Sequence, residues 1–361
     1  MILFLETHLS ERIYAHRPTL REDSYRALMA VTEWLSTRKP EDIVGSAVVF
    51  CGDSFDTPWP SPDDEAALRK FLRYCSANGL MVYGIQGNHD KCSKRSWLEI
   101  NGICMLRPDE LAIVGGVTLR GFDHKPWRGP HEVMHDMVVA NQECDILVMH
   151  QALRAVNNRE TEAIDPKDIP STVKLAVVAG HTHTGKVWRD GPLVYASPGC
   201  THRRKIDEPP GTMLVYDNTC FTIVELGQQR PIKRISLDNT SRASAEAYFA
   251  GLRPLTEIGV DNIPLVELSV SPEDVVLLLP FKRYSDRCHL LTSIGALRES
   301  PTTKPTATTT AELDLREIIG EDPVMLEFMS GLLSDGILMV EALDTAFEKE
   351  RKDKELAYAR S

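Results

Sequence analysis

Five short apolar runs each end at once in residues that bind metals, and this recurrence constrains the fold more than any other feature. They are "MILFL" before Glu6-Thr-His8, "SAVVFCG" (46–52) before Asp53-Ser-Phe-Asp56, and "LMVYGIQG" (80–87) before Asn88-His89-Asp90. "DILVM" then precedes His150, and "LAVVAG" precedes His181-Thr-His183. Runs of this length rich in β-branched residues read as buried strands. If the first strand continues, Glu6 and His8 share a face, because alternate side chains point the same way. Between the second and third runs, "SPDDEAALRKFLRYCSANG" (61–79) reads as a helix, with Ser61 as N-cap, acids in its first turn and a closing Asn-Gly. Strands alternating with helices imply a largely parallel sheet, and sites are built in the loops at its carboxyl edge. Each ligand-type pair alone has an ordinary loop explanation, but five at successive strand ends would meet at one edge.

The β elements continue with "GPLVYASPG" and "GTMLVYDNTCFTIVEL", the latter a hairpin turning at Asp217-Asn218, which suggests a second sheet packed on the first. We read residues 1–226 as one α/β domain and 227–298 as a small α+β unit of strand, helix and strand. "ESPTTKPTATTTA" (299–311) reads as a linker, and 312–361 as two or three short amphipathic helices broken at Pro323 and Gly336. The 361 residues suffice for one large and one smaller domain. The five apolar residues before Glu6 are too few for a signal-peptide core or a membrane span, and no later run approaches spanning length. The eight cysteines are scattered with no C-x-x-C pair, which points to reduced thiols in a cytoplasmic compartment. The formal charge of −11 opposes unaided binding to a phosphate backbone, although "THRRK" and "RPIKR" are locally basic.

Carboxylate, amide and imidazole together suit a pair of divalent ions such as Mn, Fe or Zn. Asp53 is the natural bridge, since one carboxylate can give an oxygen to each ion. A pair of this kind serves in-line displacement at phosphorus. A neutral His89 would protonate the leaving oxygen, with Asp90 fixing its tautomer.

"GDSFD", "GNHD", the lone His150 and "GHTH" resemble the calcineurin-like metallophosphoesterase superfamily over residues 6–183. The resemblance implies that Glu6, His8, Asp53 and His183 hold one metal. Asp53, Asn88, His150 and His181 would hold the other, with His89 as acid. The implied fold is a two-sheet α/β sandwich with a small α+β capping domain and C-terminal helices. Within the superfamily the chain is most similar to bacterial and phage SbcD-type DNA repair exonuclease subunits, through "ETHLS", "GDSFD", "SPGC" and the order of the later elements. That implies a Mn-dependent double-strand exonuclease and single-strand endonuclease. It would act on DNA as a homodimer with an SbcC-type ATPase docked on the terminal helices. Glu6 departs from the pattern by standing where the family has Asp, and its extra methylene moves the carboxylate by about one carbon–carbon bond.

Three rivals remain at this level. "HEVMHD" (131–136) spells the zinc-protease helix signature, with no recognisable third ligand. A phosphomonoesterase or small-molecule phosphodiesterase would share fold and metals. A scaffold subunit with a site degenerate at Glu6 is the non-enzymatic reading.

Overall fold

The all-apolar sequence of the first strand follows from burial on both faces. In the computed structural model, Leu3 and Leu5 pack under two helices, whereas Ile2 and Phe4 face a second sheet. The structure describes residues 1–10, 23–90, 96–124, 143–154, 163–204, 208–227, 230–238, 240–257 and 263–294. The linker and terminal helices (299–361) and the "HEVMHD" segment therefore lie outside the described residues.

The strands in chain order are β1 (Ile2–Leu5), β2 (Ala47–Cys51), β3 (Met81–Ile85), β4 (Cys104–Met105), β5 (Ala112–Val114), β6 (Val117–Phe122), β7 (Cys144–Met149) and β8 (Val173–Ala179). They continue with β9 (Lys186–Asp190), β10 (Leu193–Ser197), β11 (Thr212–Tyr216), β12 (Phe221–Glu225), β13 (Ile232–Leu237), β14 (Leu265–Val270) and β15 (His289–Ile294). Two six-stranded sheets run β12-β11-β1-β2-β3-β4 and β5-β6-β7-β8-β10-β9. β1, β2 and β3 are parallel neighbours, as are β6, β7 and β8, so their carboxyl ends line up sheet by sheet. Phe4, Val49, Ile146, Val148 and Val178 interdigitate between the sheets. This is the two-sheet α/β sandwich.

Helices α1 (Asp23–Ser36), α2 (Pro40–Ile43) and α3 (Pro62–Ala77) follow β1 and β2. Leu28, Val31 and Leu35 of α1 and Leu68, Phe71 and Cys75 of α3 cover the outer face of the first sheet. Ser61 caps α3 in a reciprocal capping box with Asp64, and Pro62 occupies the first turn, so sequence and structure agree on where this helix starts. α4 is a single turn, Trp97–Ile100.

The third sheet is parallel, in the order β13-β14-β15. Its core joins Leu237, Val266, Leu268 and Phe281 to Phe249 of α5 (Arg242–Ala250). The connection after β14, expected as a helix, is a 3-10 segment, Pro272–Tyr284, with Pro280 inside it. A proline interrupts i→i−4 bonding, which explains the tighter winding. Arg230 fixes the start of this region by a bidentate pair with Asp23 at 2.7 and 2.9 Å. The described residues all fall within one compact unit, 1–296. No helix among the described residues is long and apolar enough to cross a membrane.

Candidate metal centre

Every ligand-type pair read at a strand end arrives at the same place. Glu6 and His8 follow β1, Asp53 follows β2, Asn88 and His89 follow β3, His150 follows β7, and His181 and His183 follow β8. Backbone hydrogen bonds lace the loops together: His8 N–H donates to the Asp53 carbonyl (2.8 Å), Gly180 N–H to Met149 (2.9 Å), and Thr201 N–H to Glu6 (2.9 Å). Among the described residues, the non-glycine positions with positive φ are His8 (39°), Asp53 (47°), His181 (79°) and Asn218. Three of these carry candidate ligand side chains. A left-handed backbone costs an L-residue roughly 1–2 kcal/mol, and such strain collects where function over-determines the geometry.

The motif glycines are explained by close approach. A Cβ on Gly87 would lie 2.0 Å from Asp53 Oδ1, and one on Gly180 would lie 2.2 Å from the Cys51 carbonyl oxygen. Only hydrogen fits at these two positions, so "GN" and "GH" are steric requirements of the packed loops.

The side chains form two facing clusters around Asp53. Its Oδ2 lies 3.1 Å from His150 Nε2 and 3.6 Å from His8 Nε2. On one side, Asn88 Oδ1 is 3.1 Å from both His150 Nε2 and His181 Nδ1. On the other, Glu6 Oε1 is 3.1 Å from His8 Nε2 and 3.4 Å from His183 Nε2. Glu6, His8 and His150 are fully buried. Ligand atoms of Glu6, His8 and His183 lie within 4.8 Å of one another, and so do those of Asp53, His150 and His181.

This donor set fits metal ions. His150 Nδ1 donates to the Cys51 carbonyl at 2.7 Å, so Nε2 of the neutral ring is a lone pair. That lone pair faces the Asp53 carboxylate and the Asn88 amide oxygen, which are both acceptors. Three converging acceptors require a positive charge between them. A proton meets the same demand: burial lowers the pKa of His150, but Asp53 and Glu6 outweigh it and raise it to about 9. His181 behaves oppositely. Burial and the neighbouring His150 lower it to about 4, which keeps the ring neutral. Burial raises the Glu6 carboxyl, yet His8, His150 and His183 bring it below its usual range. Burial pushes the Cys51 and Cys200 thiols well up, so neither offers a thiolate.

Proton and metal compete at His150. Manganese affinity is therefore expected to climb with pH by up to about tenfold per unit until the pH reaches about 9. Calorimetric titration near neutral pH in buffers of different ionisation enthalpy should register net proton release, from His150 and from His8, whose ring burial lowers but Asp56, Glu6 and Asp53 together shift upward. A pH-independent affinity contradicts this.

Glu6 is used along its full length. While Oε1 faces His8 and His183, Oε2 accepts the His181 backbone N–H at 2.9 Å. An aspartate withdrawn by one methylene cannot hold both ends. Glu6→Asp is therefore expected to weaken manganese binding by about tenfold, the usual size for loss of a group that orients ligands. An affinity equal to or above wild type in the same titration contradicts it.

His89 lies beside the Glu6 half, its ring centroid 5.2 Å from that of His8. Its Nδ1 donates to the Asp56 carbonyl at 2.7 Å, which leaves Nε2 as the atom that exchanges protons. The tautomer-fixing role expected of Asp90 thus falls to Asp56. Asp90 instead accepts backbone N–H groups from Phe55 (3.1 Å) and Gly87 (2.9 Å), pinning the two loops together. Burial and nearby Asp53 raise its carboxyl to about 6.

Sequence reasoning missed four neighbours, Asp123, His124, Glu208 and Arg204, the last beside His183 Nε2 at 3.4 Å. Asp123 and His124 follow β6. Asp123 accepts the Gln86 backbone N–H at 2.8 Å, and the His124 ring stacks on His181 with centroids 5.7 Å apart. Glu208 holds His183 Nδ1 at 2.7 Å. The available signal for the first two was another strand ending in "DH".

A family model described as the calcineurin-like phosphoesterase superfamily domain matches residues 23–219, over half of the chain. The chain belongs to the calcineurin-like phosphoesterase superfamily. That match begins after β1, so Glu6 and His8 join this phosphoesterase's site by geometry. Similar sequences include the DNA double-strand break repair protein Mre11 of Methanosarcina acetivorans, 29% identical over 124 residues, covering 34% of this chain and 19% of that one. The Aeropyrum pernix Mre11 is 26% identical over 261 residues, covering 64% and 62%. The Haloferax volcanii Mre11 is 25% identical over 285 residues, covering 77% and 60%. The matches thus span less than two thirds of each of these relatives.

Proposed function

We propose that this phosphoesterase is the nuclease subunit of a DNA-break repair machine, cutting phosphodiester bonds with two divalent metals, manganese being the ion that the resemblance to SbcD-type nucleases implies. The observation that carries the reading is the position of the Asp53 carboxylate between two clusters of histidine, carboxylate and amide ligands. Glu6, His8, Asp53 and His183 would hold one ion, and Asp53, Asn88, His150 and His181 the other. When bound, the pair supplies Lewis-acid activation of water and charge stabilisation at phosphorus.

The chain's own residues do the rest. Asp53 Oδ1 accepts the His89 backbone N–H at 2.8 Å, which fixes the distance between bridge and acid. Asp56 orients the His89 ring so that Nε2 faces a leaving oxygen and delivers its proton. The similarity to double-strand-break repair proteins supports DNA as substrate. On this reading the activities are 3′-5′ exonuclease on duplex ends and endonuclease on single strands, exercised by a cytoplasmic homodimer. Residues 1–226 form the nuclease domain and 227–298 cap it and help recognise DNA. Beyond the linker (299–311), the apolar faces of 312–361 dock an SbcC-type ATPase.

The test is substrate choice with manganese. Linear duplex DNA should be degraded while p-nitrophenyl phosphate is left essentially untouched. Rapid monoester hydrolysis with intact DNA would establish a phosphomonoesterase instead.

A further inference from the structure

Arg204 and Glu208, which follow β10, lie against one half of the centre. Glu208 Oε1 is 2.7 Å from His183 Nδ1, and its Oε2 accepts the Arg204 backbone N–H at 2.7 Å. Arg203 Nε–H donates to the Glu208 carbonyl at 3.2 Å, fixing the carboxylate from its own backbone. The Arg204 guanidinium pairs with Asp56 through one nitrogen. Its other terminal nitrogen is 3.4 Å from His183 Nε2. Asp56 Oδ1 is in turn 3.3 Å from His8 Nδ1. Glu208 and Arg204 thus act on one ligand, His183, from opposite sides of its ring.

The chemistry of the two contacts is opposed. A carboxylate accepts and never donates when ionised, so Glu208 keeps the proton on Nδ1 and aims the Nε2 lone pair inward. That lone pair faces Glu6 Oε1 at 3.4 Å, the position expected of a metal ligand. The Arg204 guanidinium can only donate, and it reaches for the same lone pair. A metal ion at Glu6, His8 and His183 must take Nε2 from Arg204 and accept a fixed positive charge nearby. In the other half, the ligand atoms of Asp53, Asn88 and His150 meet one another.

We propose that Glu208 and Arg204 are positioning residues that set the metal affinity of the Glu6–His8–His183 half in opposite directions, Glu208 raising it and Arg204 lowering it. The two ions then load in steps, with this half filling second. The inference rests on the two-metal reading of the centre and is independent of whether DNA is the substrate.

The experiment is a manganese titration of the metal-stripped full chain, followed by calorimetry and by the electron paramagnetic resonance of free Mn2+. Wild type should show two binding steps. Glu208→Gln should weaken the second step by about 10–100-fold. Arg204→Met should strengthen it by about tenfold, because the competing donor and its charge are gone. Both variants should leave the first step in place. A thermal melt establishes that each is folded; Arg204→Gln, which can still bond to Asp56, replaces Arg204→Met if the latter is not. A second step that weakens in the Arg204 variant, or that neither variant moves, overturns the inference. If wild type itself binds fewer than two ions, the two-metal reading fails instead.

Discussion

Asp53→Asn should lower manganese-dependent phosphodiester hydrolysis by a factor on the order of 10³, the loss expected when roughly 4 kcal/mol of charge stabilisation is removed. One carboxylate oxygen faces His150 at 3.1 Å and His8 at 3.6 Å. The other fixes the His89 backbone at 2.8 Å. The asparagine amide is isosteric but neutral. It offers one oxygen where two are used, and its NH2 group would point at a ligand lone pair or at the His89 N–H. The carboxylate is kept ionised here: burial opposes ionisation, but His150, His8 and His89 hold it well below the usual range. Thermal melting separates loss of chemistry from loss of fold. The Asp53→Asn chain should remain folded, because β2 keeps its buried Val48, Val49 and Phe50. The rise in melting temperature that saturating manganese gives wild type through linkage should shrink to a fraction of its size. Activity within tenfold of wild type would show that Asp53 does not bridge.

The parts of the fold legible in the sequence are those whose burial leaves no ambiguity. β1, β2, β7 and β8 have both faces covered, so they read as continuous apolar runs and their ends could be located. β5, β6 and β9 do not read as strands in the sequence, since exposed Ile113, half-buried Thr118 and exposed Arg189 break the apolar signal. Missing β6 meant missing Asp123 and His124 at its end. Glu208 and Arg204 were illegible for another reason. Their partners are 25 and 148 positions away, at His183 and Asp56, and no local pattern carries a contact of that range. Asp90 illustrates a third limit. Its proximity to His89 in sequence suggested contact with that ring, whereas loop geometry turned its carboxylate to the backbone of Phe55 and Gly87. Glu6 was legible as a ligand type, but only the second contact of its carboxylate, to the His181 N–H, shows why the longer side chain suits this pocket.

His89 carries the second large effect. Its Nδ1 is committed to the Asp56 carbonyl, so Nε2 alone is available to transfer a proton. It is half-buried beside His8, and although ligand-type atoms of His8, Asp56 and His89 lie within 4.8 Å of one another, the two-metal reading assigns His89 to proton transfer. His89→Ala should therefore retain both bound metals while losing the proton donor, and general acid catalysis of this kind contributes about 10²–10⁴-fold. The backbone N–H that Asp53 uses survives the substitution, which keeps the bridge in place. The decisive measurement is nucleotide release from linear duplex DNA with manganese, by wild type and His89→Ala at equal metal occupancy. A two-metal phosphodiesterase with His89 as its acid predicts steady release by wild type and a rate at least about 100-fold lower for the variant. Equal rates in the two proteins, whether both at background or both high, would contradict it.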